Sequence, residues 1–126
     1  MKNSFISIGL FLALLSFLYS SNKKLNSICE HILDTCEKTE TLIVDEDWKE
    51  SYSETVDLID FIKENKASIA MFVNHAEFDN LNIEAAKLSQ YIEYENAEES
   101  LASLHAIKFS TNCIQELQKV NIENLF

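Results

Sequence analysis

Apolar residues recur along most of this chain at the three-and-four spacing of a helix face. From Leu25 the series Leu25, Ile28, Cys29, Ile32, Leu33, Cys36 and Ile43 keeps one stripe, with Glu30, Asp34, Glu37 and Lys38 off it. It predicts a helix ending near Val44, where Asp45-Glu46-Asp47 supplies a turn and a cap. Asp47, with Glu50 three residues on, reads as a capping box. The next stripe is Trp48, Tyr52, Val56, Ile59 and Ile62, broadened by Leu58 and Phe61. Its phase continues through Glu64-Asn65-Lys66 to Ile69, Phe72, Val73 and Ala76, as one long helix or two with a kink near Asn65. Around His75–Asn80 the phase is lost, which predicts a turn. Leu81, Ala85, Leu88 and Ile92 define a further helix that ends at Glu95-Asn96, and Asn96 with Glu99 makes a second capping box. The last helix carries Leu101, Leu104, Ile107 and Ile114, with Ala106, Phe109, Cys113, Leu117 and Val120 beside them. A sector that wide predicts burial on two sides.

The two acidic joints align with each other. Leu42–Ser51 matches Tyr91–Ser100 at an offset of 49, each reading helix end, acidic turn, capping box, helix start. Two readings stay open: any two capped joints look alike, or the chain is a pair of stacked α-hairpins.

Ahead of this pattern, residues 3–22 hold no charge between Lys2 and Lys23. As a helix they span ~30 Å, the hydrocarbon thickness of a bilayer, with Tyr19 suited to the headgroup boundary. A cut after Ser20 would place Leu18 at the −3 position, where a signal peptidase wants a small residue. Residues 1–21 are therefore read as an uncleaved membrane anchor and 22–126 as an acidic helical domain. A cleaved signal and a buried core helix are the alternatives. The short N-terminal flank favours an N-in orientation with the acidic domain outside the cytoplasmic membrane.

Composition sharpens the fold class. The chain has 126 residues, no Pro and one Gly (Gly9), so the turn signals of sandwiches and barrels are missing. The expected fold is all-α: an N-terminal transmembrane helix followed by an antiparallel bundle of about four helices. Net charge is −11, and every basic residue is Lys. Such a surface repels nucleic acid and lacks the Arg that reads guanine or clamps phosphate, so nucleic-acid binding is excluded.

Candidate chemistry is sparse. No Gly follows position 9, so no phosphate-cradling loop or nucleophile elbow is encoded, and Ser and Thr are placed on helix surfaces and ends. No catalytic constellation, cofactor or small-molecule substrate is expected. Cys29 and Cys36, seven residues apart, lie ~10 Å apart along one helix, too far to bridge. All three cysteines fall on apolar stripes and read as small core residues, with a disulfide from either to Cys113 as the alternative. His75, Glu77 and Asp79 could ligate a cation or titrate, but no second His sits at helical spacing, and no metal is assigned. His75 is expected between Phe72 and Phe78 at a helix joint. The apolar ending Val120, Ile122, Leu125, Phe126 either docks on the bundle or offers Leu125 and Phe126 to a partner.

Several segments together resemble a known family: Asp47-Trp48, then Phe72-Val73-x-His75-x-Glu77-Phe78, Leu88-x-x-Tyr91-Ile92 and Asn121-Ile122-Glu123-Asn124-Leu125-Phe126 behind a short uncharged span. The chain is similar over its whole length to a functionally uncharacterised bacterial family of small single-pass proteins with a helical domain. Its members often carry a second Trp near Ala67–Ile69 that is missing here, which bears on the packing of the middle helix. The resemblance implies fold and anchor, and no activity or ligand. The functional expectation is a non-enzymatic accessory or adaptor domain that binds another envelope protein through an acidic helical surface. The alternative is a sensor acting through His75, Glu77 and Asp79.

Overall fold

The computed structural model describes residues 1–125, and the side chains of residues 1–120. Its helices are α1 (Lys2–Val44), α2 (Trp48–Glu64), α3 (Lys66–Ala70), α4 (His75–Glu93) and α5 (Ala97–Leu125), and no strand occurs among the described residues. Four of them close a ring: α1 packs on α2 and α5, and α4 packs on α2 and α5. Polar contacts fix the antiparallel sense. Late in α5, Gln115 Nε2 donates to Glu30 Oε1 (3.0 Å) and Asn26 Oδ1 (3.2 Å), where α1 enters the bundle, while the earlier Lys108 Nζ reaches Glu40 Oε2, nearer the end of α1, at 3.0 Å. Lys38 of α1 pairs with Glu54 of α2, and Ser103 Oγ of α5 donates to Glu84 of α4 at 3.0 Å.

The membrane-length segment is not a separate element. It runs without a break into the first helix of the bundle, so α1 is 43 residues long, ~65 Å. Its apolar half leaves the bundle with none of its most apolar stretch buried, which rules out the core-helix alternative. It is long and apolar enough to cross a membrane, and a signal sequence meets the same description. Core burial begins abruptly at Leu25, then Ile28, Cys29, Ile32, Cys36 and Ile43, the stripe read from the sequence.

Both acidic joints have one geometry. The N–H groups of Glu46 and Asp47 donate to the carbonyls of Ile43 (3.0 Å) and Leu42 (2.9 Å), and those of Glu95 and Asn96 donate to Ile92 and Tyr91 (2.9 Å each). These are Schellman closures, with Glu46 (φ 58°) and Glu95 (φ 55°) in the left-handed conformation. The residue completing each closure also starts the next helix: Asp47 Oδ1 accepts from the Glu50 N–H at 3.3 Å, and Asn96 Oδ1 from the Glu99 N–H at 3.1 Å. The alignment at offset 49 thus corresponds to two α-hairpins, α1–α2 and α4–α5, packed side by side.

The chain breaks at Asn65, the second of the two readings left open, so the middle segment is α2 plus the short α3. Three expectations change. The turn falls at Met71–Asn74 instead of His75–Asn80, because Asn74 Oδ1 accepts from the Glu77 N–H at 2.9 Å and starts α4 at His75. Phe78 then opens the buried series Phe78, Leu81, Ala85, Leu88, Ile92. The core face of α2 is rotated from the expected stripe: Ser51, Thr55, Leu58 and Ile62 are buried, and Tyr52 is exposed. Ser and Thr are not confined to surfaces. Thr39, Ser51, Thr55 and Thr111 are fully buried, each hydroxyl donating to the carbonyl four residues back at 2.7–2.8 Å. That local bond satisfies the hydroxyl and lets a small side chain sit in an interhelical seam.

Candidate functional site

The last helix provides the clearest departure from a closed bundle. Leu104, Ile107 and Ile114 face the core as expected, with Leu101 half-buried beside them. The second apolar row finds no partner: Phe109 is 72% exposed, Leu117 54% and Val120 50%, and Cys113 is exposed between them. The expected burial on two sides fails because the ring of four helices covers α5 only from α4 and α1. What remains is an open apolar groove of about 200 Å³ between α5 and the start of α4. Phe109, Cys113, Ile114 and Leu117 form its floor, with Glu77 and Asn80 on the α4 rim and Glu116 on the α5 side.

Glu77 therefore belongs to this rim. Its backbone N–H is held by the Asn74 cap, and it shares no cluster with its neighbours in sequence. His75 and Asp79 are both exposed, so His75 does not pack between Phe72 and Phe78 as expected. Among the described residues, no group of three His, Cys, Asp or Glu side chains is placed to hold a metal ion. Leu125 and Phe126, the sequence candidates for partner binding, have side chains outside those described.

The cysteines divide by environment. Cys29 and Cys36 are buried free thiols on α1, beyond the apolar segment, and Cys113 is a free thiol at the surface. Burial pushes Cys29 up to about 11, with Glu30 adding to the rise. Burial pushes Cys36 up to about 12, against the partial opposition of the Lys108 ammonium. Neither is a nucleophile near neutrality. Cys113 is not the core residue that its stripe suggested.

Charge is segregated along the bundle. Residues 37–54 and 93–99, around the two joints, hold eleven acidic residues against Lys38 and Lys49, a net −9 of the chain's −11. Exposed Val44, Tyr52 and Tyr94 stand among them. The opposite end, where α1 leaves the bundle, is nearly balanced, with Lys23, Lys24, Lys63 and Lys66 against Glu64, Glu77 and Asp79. No sequence signal separated these poles, because the acids are spread over two hairpins that only the fold brings together.

Fold and surface together define an acidic antiparallel helical bundle carried on an apolar helix. The chain matches the family described as "Domain of unknown function (DUF4363)" over residues 19–125, and it belongs to that family. No curated protein and no solved structure matches it.

Proposed function

We propose that this chain is a single-pass, membrane-anchored adaptor of the bacterial cell envelope, non-enzymatic, that holds another protein against its helical bundle. The observation that carries this reading is the exposed row Phe109, Cys113, Leu117, Val120 beside Glu77 and Glu116. An apolar row with an acidic rim, on a bundle whose core is otherwise closed, has the character of a protein-docking face. The fitting partner presents an apolar ridge flanked by Lys or Arg. The acidic pole around the joints would draw such a partner in, acting on the rate of encounter more than on affinity. The uncharged segment between Lys2 and Lys23 serves as the anchor, with the bundle outside the cytoplasm.

The test is a photo-crosslinking residue placed at Phe109 or at Leu117 of the full-length chain in its native cell. A discrete adduct from both positions, and none from exposed Ile83 on α4, supports the reading. Absence of any adduct from either position, with the chain present and membrane-bound, removes it.

A further inference from the structure

Beside the point where α1 enters the bundle lies a cleft of about 320 Å³, lined by Phe17, Ser20 and Lys24 of α1, Ser68 of α3, and Met71 and Phe72 of the following turn. Its lining is layered. Phe17, Met71 and Phe72 are apolar, while Ser20, Ser68 and Lys24, with Ser21 alongside, offer hydroxyls and an ammonium. A phospholipid has the same layering where its phosphate and ester groups meet the acyl chains.

Distance decides what can occupy this level. From Tyr19, the residue suited to the headgroup boundary, to Leu25, the first buried core residue, is ~9 Å along a helix rising 1.5 Å per residue. The headgroup layer on one side of a bilayer is ~5–7 Å deep. The first core layer therefore starts close to the outer surface of that layer, and no linker intervenes, because α1 is continuous. Groups that touch Ser20 and Lys24 lie below Leu25, inside the headgroup layer, and those that touch Phe17 reach the top of the acyl chains. Charge is compatible with this placement. Lys23, Lys24, Lys63 and Lys66 at this end nearly balance Glu64, Glu77 and Asp79, and the strongly acidic joints lie at the other, away from lipid phosphates.

Building on the anchor reading, we infer that α3 and the Met71–Asn74 turn bed in the phospholipid headgroup layer, with a lipid phosphate seated in the cleft opposite Lys24. The bundle then stands directly on the bilayer, with its acidic joints pointing away from it. Met71, exposed in the bundle, is covered by lipid.

The experiment uses the full-length chain reconstituted in phosphatidylcholine–phosphatidylglycerol vesicles, in a Trp48→Phe background with helicity checked by circular dichroism. Met71→Trp and Ala70→Trp serve as two independent reporters at the cleft end, and Tyr94→Trp as the reporter at the joints. The expected result is several-fold stronger quenching of the Met71→Trp and Ala70→Trp reporters by lipids nitroxide-labelled at the headgroup, and acrylamide quenching only of the Tyr94→Trp reporter. Adding Lys24→Glu should restore acrylamide access to the Met71→Trp reporter. Equal acrylamide access at both ends, in a chain that resists carbonate extraction, overturns the seating while leaving the anchor intact. Release of the chain by carbonate overturns the anchor reading itself.

Discussion

Glu46 and Glu95, forty-nine residues apart, occupy the same left-handed position in two copies of one helix closure, with φ of 58° and 55°. Each is followed by an acceptor side chain that caps the next helix, Asp47 in one joint and Asn96 in the other. Neither position holds glycine, the residue of least strain in that conformation.

Replacing either glutamate should therefore stabilise the bundle. The left-handed conformation costs a residue with a Cβ ~1–2 kcal/mol, and glycine gives back part of the gain through its freer unfolded chain. Glu46→Gly and Glu95→Gly are each expected to raise stability by roughly 0.5–1 kcal/mol in denaturant unfolding. A loss in both would mean that the Schellman geometry is not what holds the joints.

Asn74 is expected to matter more than the neighbouring residues that look chemically richer. Asn74→Ala removes the acceptor for the Glu77 N–H at the start of α4 and should cost about 1 kcal/mol. His75→Ala and Asp79→Ala, at exposed positions, should stay within about 0.5 kcal/mol. Thermal unfolding of the three variants side by side checks this, and a large loss from His75→Ala would contradict the placement of that side chain.

This cap is only partly legible in the sequence. The pattern Asn74-x-x-Glu77 is the same signature as Asp47-x-x-Glu50 and Asn96-x-x-Glu99, yet His75 and Asp79 beside it give the glutamate the look of a ligand and mask the helix start. The α1 and α4 stripes were legible because their core positions are nearly all large and apolar. The face of α2 is not legible in the pattern because Ser51 and Thr55, polar by composition, sit fully buried through bonds to their own helix. The groove was hidden for a different reason. Phe109, Cys113, Leu117 and Val120 have the spacing of a core row, and only the number of helices around α5 decides whether such a row is covered. The continuity of α1 was likewise beyond a one-dimensional reading, since Asn22-Lys23-Lys24 resembles a boundary in composition while the backbone runs through it as helix.

Thiol reactivity should divide the cysteines and give the bundle an alkaline limit. In the folded chain a colorimetric thiol reagent should titrate Cys113 quickly and reach Cys29 and Cys36 only on unfolding. Burial raises both buried thiols from an ordinary 9.0, to about 11 and about 12, so between pH 9 and those values the folded chain holds protons that the unfolded chain has lost. Their contribution is fully present below about pH 9 and falls as pH rises through that window. Tyr and Lys titrate above about pH 10 as well, so the comparison is with Cys29→Ala/Cys36→Ala, whose midpoint should decline less steeply over the same range. Equal slopes would mean that the two thiols are not desolvated.

The groove makes the sharpest demand on α5, because adjacent residues there should behave oppositely. Ile107 is fully buried, and Ile107→Ala should cost 2–5 kcal/mol through lost burial and the cavity left behind. Phe109, two residues on, is 72% exposed, and Phe109→Gln should change stability by no more than about 0.5 kcal/mol. Leu117→Gln should follow Phe109→Gln, and Ile114→Ala should follow Ile107→Ala, since Ile114 is buried and Leu117 is not. Both groove substitutions should also raise the solubility of the detergent-solubilised chain by shrinking an exposed apolar row. The check is urea unfolding of the four variants in one detergent. If Phe109→Gln costs as much as Ile107→Ala, the second row of α5 is already covered within the chain, and the face proposed for a partner does not exist.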